Sequence, residues 1–158
     1  MITMPLIAVV RVKGIPDRNP DERKTLELLR LHRVHHCVLL RDTPSVRGML
    51  KKIEYAVTYG EVEKDTLVEL LKKRARLSGN KALTEEYLKS AGFGSIEELA
   101  DALLEGRVEI NKIPDLKPVF RLHPPKGGFK GSLKKHVSEG GELGYRGSAI
   151  NELIKRMM

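Results

Sequence analysis

The opening PLIAVVRVKG is apolar at consecutive positions, rich in valine and isoleucine, and closed by Gly14. Such a run predicts a strand buried on both faces. The next stretch, DRNPDERKTLELLRL, changes period, with leucines at 26, 28, 29 and 31. Asn19 suits the N-cap, Pro20 the first helical position, and Asp21 and Glu22 the first turn, where the helix dipole favours negative charge; the pattern predicts a helix. A basic link, HRVHH, leads to CVLLR, a second apolar run of strand length that DTP stops. Thr43 can then cap a helix that begins at Pro44. Within TPSVRGMLKKI, Val46, Met49, Leu50 and Ile53 fall at helical spacing on one face, with Arg47 and Lys51 on the other side. YAVTYGEV alternates Tyr55, Val57 and Tyr59 against Ala56 and Thr58, the period of a strand with two unlike faces.

Three strands and two helices are therefore expected by about residue 62. KDTLVELLKKRARL reads as a further helix with cations at 72, 73, 74 and 76, favourable at a helix C-terminus. Two short helices follow. TEEYLKSAG has Thr84 as cap and Gly92 beyond its end, and SIEELADALLEG opens on a Ser95/Glu98 capping box and carries Ile96, Leu99, Ala100, Leu103 and Leu104 on one face before Gly106. This pair is expected to form a compact appendage. KPVFRLHPP reads as another strand, stopped by Pro124 and Pro125, which donate nothing to a ladder. From 124 to 147 there are seven glycines and few apolar anchors, so this stretch is expected to build no packed core of its own. AINELIKRMM closes the chain as an amphipathic helix. The organisation read from the pattern is a core over 1–62, a helical segment with the acidic appendage over 63–118, and a returning strand, basic extension and final helix over 119–158.

Composition adds the partner. At 158 residues and 41% hydrophobic the chain can bury a real core, while a net charge of +8 points to a polyanion. The charge is unevenly spread: 17 basic against 10 acidic residues in 1–83, 3 against 8 in 84–115, and 8 against 3 in 121–158. The acidic middle is expected to face away from the partner. No apolar run approaches the eighteen or so residues of a spanning helix and no signal-peptide pattern opens the chain, so a soluble intracellular protein is expected. A lone Cys37 forms no internal disulfide.

Candidate chemistries are few. His32, His35, His36 and Cys37 form the only cluster of metal-type side chains, but His36 and Cys37 are neighbours on a strand and point to opposite faces, and no second cluster has ligand spacing. GGFKGS resembles a phosphate loop only superficially, since it lacks the required spacing and has no clear helix to open. No G-x-S-x-G occurs, so catalysis is not expected. Aromatics are 4% with no Trp, which disfavours base stacking as the main mode and favours backbone and shape contacts to a folded RNA. A cationic Gly-rich segment can order itself against such a partner. Two other classes fit less well: a helix-turn-helix DNA-binding regulator built on VEKDTLVELLKKRARLSGNKALTEEYLKSAG, whose second helix would open on two acids, and a nucleotide-dependent enzyme.

TLELLRLHRVHHCVLLRDTPSVRGMLKKIEYAVTYGEV, Thr25 to Val62, resembles the signature region of the large-subunit ribosomal protein family numbered thirty in bacteria and archaea and seven in eukaryotes, DTPSVRGMLKKI being its most specific part. The ending from FRLHPPKGG to IKRMM is similar to the basic extension and final helix of the longer archaeal and eukaryotic members. The resemblance implies an α+β fold: a ferredoxin-like β-α-β-α-β core, its sheet flanked on one side by helices, with a small helical appendage and a basic Gly-rich C-terminal extension. It implies a cytoplasmic ribosomal constituent without cofactor, metal, membrane or small-molecule substrate. The implied partners are the main large-subunit (23S) rRNA, the companion 5S rRNA and neighbouring ribosomal proteins. The RNA-facing residues it implies are Arg30, His32, Arg33 and His35 after the first helix; Arg47, Lys51 and Lys52 on the second; then Arg121, His123, Lys126, Lys130, Lys134, Lys135, His136 and Arg146.

Overall fold

The structure is a computed structural model and describes residues 5–14, 20–79, 81–113 and 115–158. At its centre lies β1 (Leu6–Arg11), antiparallel to β2 (His36–Arg41) on one side and to β3 (Val57–Glu61) on the other. Helix α1 (Pro20–Leu28) joins β1 to β2, and α2 (Pro44–Lys52) joins β2 to β3. Asn19, the expected cap of α1, lies outside the described residues. Thr43 caps α2 as expected, its Oγ1 accepting the Val46 N–H at 3.2 Å.

Alternation along β1 sorts its side chains into two cores. Ile7 and Val9 join Val38, Val57 and Tyr59 against Leu26, Leu29, Leu31, Leu50 and Ile53 of the α1–α2 side. Leu6, Ala8, Val10 and Val12 face the other way, with Cys37 and Leu39. That second face is covered by α3 (Lys64–Arg74), α4 (Glu85–Ser90), α5 (Ile96–Glu105) and α6 (Ile150–Met157). Helices thus cover both faces of the sheet, not one as expected. The cause is β1 itself: Ile7, Ala8, Val9 and Val10 are all fully buried, and a strand apolar on both sides must be covered on both.

The acidic middle is not a separate appendage either. Helix α5 packs on α3, and its Leu99, Ala100 and Leu103 belong to the same cluster as Ala8, Leu70 and Leu153, so segments 1–62, 63–118 and 119–158 meet in one core. Ser95 caps α5 through the Glu98 N–H at 3.3 Å, but the Glu98 carboxylate accepts from Gly94 N–H at 2.5 Å instead of returning to Ser95. Arg41 of β2 donates to the Leu103 and Leu104 carbonyls and so fastens the C-terminal end of α5 to the sheet. Between α3 and α4 stands a short ladder of β4 (Arg76–Leu77) and β5 (Lys81–Ala82), so these two helices do not make a helix-turn-helix.

The largest departure from expectation is 124–147. Strand β6 (Val119–Arg121) pairs with β2, while β8 (Gly141–Tyr145) runs parallel to β3 and β7 (Ser132–His136) parallel to β8, giving a six-stranded sheet in the order β6-β2-β1-β3-β8-β7. The glycine-rich stretch therefore packs, with Leu143 buried and Phe129 and Leu133 against the larger core. Main-chain pairing needs no side chains, and here glycine permits it: a Cβ on Gly60 of β3 would run into the Gly147 backbone. A buried ion pair replaces missing apolar anchors. Arg146 meets the Glu142 carboxylate at 2.5 Å and donates to Thr58 Oγ1 at 2.7 Å, and Glu142 also accepts the Gly131 N–H at 2.8 Å. The lysines of the stretch do not turn to the acidic helices: Lys126, Lys134 and Lys135 are exposed, and Lys130 meets Glu152 of α6 at 3.1 Å.

Candidate nucleic-acid interface

Strand directions decide where the cations gather. Strand β1 ends where β2 and β3 begin, since Val10 lies opposite Cys37 and Arg11 opposite Val57. Strand β6 ends there too, with Arg121 opposite His36, and β8 starts there. The α1–β2 link, the C-terminus of α2 and the loop after β6 accordingly converge on one end of the sheet. That end collects the expected His32, Arg33, His35, Lys51, Lys52, Arg121, His123 and Lys126, of which all but half-buried His35 are exposed. Lys134 and Lys135 stand on the outermost strand, β7. Arg30 lies apart, in left-handed backbone at φ 63° beyond α1, and lines a groove with Leu40 and Thr43.

The link is held by its own main chain and by two residues missed in the sequence reading. Arg11 donates to the Leu31 carbonyl at 2.8 Å, and the His35 N–H donates to the Arg11 carbonyl at 2.7 Å. Phe129 stacks on the His35 ring with centroids 6.2 Å apart, which ties the loop after β6 to the link. His36, singled out in the histidine cluster but not among the expected RNA-facing residues, sits among like charges. Burial lowers its pKa first, and Arg121, His32, Arg33 and Arg11 lower it further. Its Nδ1 is buried without a hydrogen-bond partner among the described residues, and its surroundings favour the uncharged imidazole. The available signal was positional: Arg11 closes one apolar run and His36 opens the next, so both had to lie at this end.

Four expected RNA-facing residues are engaged within the chain, Lys130 through the exposed Glu152 pair already described. Arg146 is the buried cation already described, with an 11% exposed side chain, and belongs to the interior. Arg47 makes a two-pronged contact with Asp42, Nε to Oδ1 at 2.5 Å and a terminal nitrogen to Oδ2 at 2.7 Å, and its guanidinium lies over the rings of Tyr59 at 5.2 Å and Tyr145 at 4.7 Å. Hydrogen bonding to Asp42 raises the Arg47 pKa, and the same bond holds the Asp42 carboxyl below its ordinary range. His136 meets Glu54 through Nε2 at 2.8 Å and Ser138 through Nδ1 at 2.9 Å.

Other chemistries find no footing. Cys37 lies in the larger core, and burial pushes its thiol up to about 12. Among the described residues no three His, Cys, Asp or Glu side chains come together to hold a metal, and no helix is long and apolar enough to cross a membrane. GGFKGS runs from a loop into β7 and opens no helix.

The family model for ribosomal protein L30p/L7e matches residues 7–57, from within β1 to the start of β3. Over nearly the full length the chain is similar to the large ribosomal subunit protein uL30 of Thermofilum pendens, 57% identical over 156 residues and covering 98% of this chain and 100% of that protein. The uL30 of Hyperthermus butylicus is 55% identical, covering 97% and 90%, and that of Archaeoglobus fulgidus 48%, covering 96% and 99%. The chain belongs to the ribosomal protein L30p/L7e family. In L30p/L7e terms the matched stretch holds the β1–α1–β2–α2 unit and the link residues, whereas the helices of the second face and strands β6, β7 and β8 lie beyond it.

Proposed function

We propose that this protein is a non-enzymatic constituent of the large ribosomal subunit in the cytoplasm, holding folded rRNA against the cationic end of its sheet. The observation that carries the reading is identity of 57% across the whole of a protein named for that subunit. The geometry supports it: His32, Arg33, Lys51, Lys52, Arg121, His123 and Lys126 converge from three connections on one end of the sheet, where Arg121, His32, Arg33 and Arg11 all act as like charges on His36. Arg30, Lys130, Lys134 and Lys135 extend the basic surface around the sheet. In this reading 23S rRNA is the main partner, 5S rRNA a second, and the outer surface of α4 and α5 faces solvent or a neighbouring ribosomal protein. No cofactor or small-molecule substrate takes part.

The mechanism is electrostatic. Cations set on rigid strand ends and helix ends displace condensed counterions from the RNA, and log affinity for naked large-subunit rRNA then falls with log salt by roughly 0.7 to 0.9 per phosphate contact. A filter-binding series across salt concentration measures that slope, and a flat response overturns the proposal. Duplex DNA in the same series separates structured RNA from a general polyanion.

A further inference from the structure

Gly48 stands in the middle of α2 and is exposed. A helix interior is a poor place for glycine, which loses more backbone freedom there than alanine. Gly60 admits the backbone of Gly147, and Gly106 takes the left-handed backbone that ends α5 at φ 80°. Neither reason applies at Gly48, where an added Cβ would meet nothing within 4 Å and the backbone is helical. Among the described residues nothing uses the missing methyl.

The neighbours of Gly48 name what does. Helical spacing turns it away from Leu50, which is buried, and puts Pro44 and Ser45 one turn before it and Lys51 and Lys52 one turn after. The helix from Pro44 to Lys52 contains no acid, and neither lysine forms an ion pair among the described residues. This outer face carries no large apolar side chain with which to dock a protein. It offers a bare stretch of helix backbone at Gly48 with two cations, Lys51 and Lys52, one turn beyond it, which complements a ribose-phosphate strand. We propose that the outer face of α2 is pressed directly onto the rRNA backbone, with Gly48 as the point of closest approach, where any side chain would hold the phosphates away from Lys51 and Lys52. The inference rests on the functional reading above and adds the point of closest approach and the reason for its glycine.

Gly48→Ala tests it because the two explanations of the glycine predict opposite signs. In the free protein the substitution raises Tm by roughly 2–4 °C, since alanine is the better helix former and meets no neighbour. Affinity for naked Thermofilum pendens large-subunit rRNA falls by about tenfold, the consequence of overpacking a close contact. Gly48→Gln, with a longer side chain, binds more weakly still. Equal binding by wild type and both variants overturns the inference and leaves the functional reading standing. A wild-type protein that binds no rRNA overturns both. Variants that bind naked rRNA normally but enter large subunits poorly place a protein against α2 and overturn the assignment to RNA.

Discussion

The link of residues 30–36 and the glycine-rich region of residues 124–147 are both short of apolar residues and both cationic, yet they use charge in opposite ways. In the first, Arg33 and His32 face outward, and with burial they help to lower the pKa of His36. In the second, Arg146 is buried against Glu142, Lys130 meets Glu152, and Arg156 from α6 donates to the Gly128 carbonyl. One region rests on side chains of β1 and leaves its cations for a partner; the other has too few apolar side chains and buries Arg146 to hold main chain together, while Lys126, Lys134 and Lys135 stay exposed. A basic composition alone does not distinguish a binding surface from a charge-stitched fold.

The comparison breaks most visibly at Arg146. Arg146→Met strands Glu142 in a nearly closed site, and the expected loss is about 3–5 kcal/mol in chemical denaturation. Intact stability would move Arg146 back to the surface. Arg33→Ala with Arg121→Ala is expected to do the reverse, leaving stability within about 0.5 kcal/mol while lowering the salt slope of rRNA binding by roughly 0.7 to 0.9 for each cation removed. A substantial fall in stability instead would show that these arginines hold the fold.

Between those extremes, Thr43→Ala removes the hydroxyl that accepts the Val46 N–H and should cost about 1 kcal/mol, with Ser retaining most of it. Acid titration gives a further check. Asp42 is held below its ordinary range by Arg47, so the folded state binds its proton less readily than the unfolded chain does. Its contribution is full at neutral pH and is lost as the pH falls through the ordinary carboxylate range to the lowered folded value. Asp42→Asn should remove that component from the pH dependence of unfolding; an unchanged profile would mean that the Arg47 contact does not persist in solution. The smallest effect belongs to Lys130→Ala, since both partners of the Lys130–Glu152 pair are largely exposed, and a change below about 0.5 kcal/mol is expected.

Much of the β1–β3 core was legible because its pattern is local. The run from Leu6 to Val10 announces burial on both faces, although taking that literally would also have called for helices on the second side. Thr43 with Pro44, and the apolar face of Val46, Met49, Leu50 and Ile53, placed α2 without error. The pairing of β8 with β3 was not legible, because parallel register between distant strands leaves no periodic trace and glycines carry no side-chain pattern. Arg47 shows the same limit within the candidate site. On a helix face it reads as a solvated cation, and only the arrival of Tyr145 from the far end of the chain reveals that it is stacked and bound. The link cations could be located from sequence because they flank two strands; Arg146 could not, because Glu142 four residues earlier resembles an ordinary exposed helical pair.

The parallel docking of β8 on β3 also sets an order of events during synthesis. Thr58 and Tyr59 have emerged long before Gly144 and Tyr145 exist to pair with them, so β3 spends most of translation with one rim unzipped. A bare rim of that kind invites a stray strand from another chain. Closure moves the rim outward to β7, where Lys134 and Lys135 repel a second copy, and the finished protein is less prone to self-association than the nascent one.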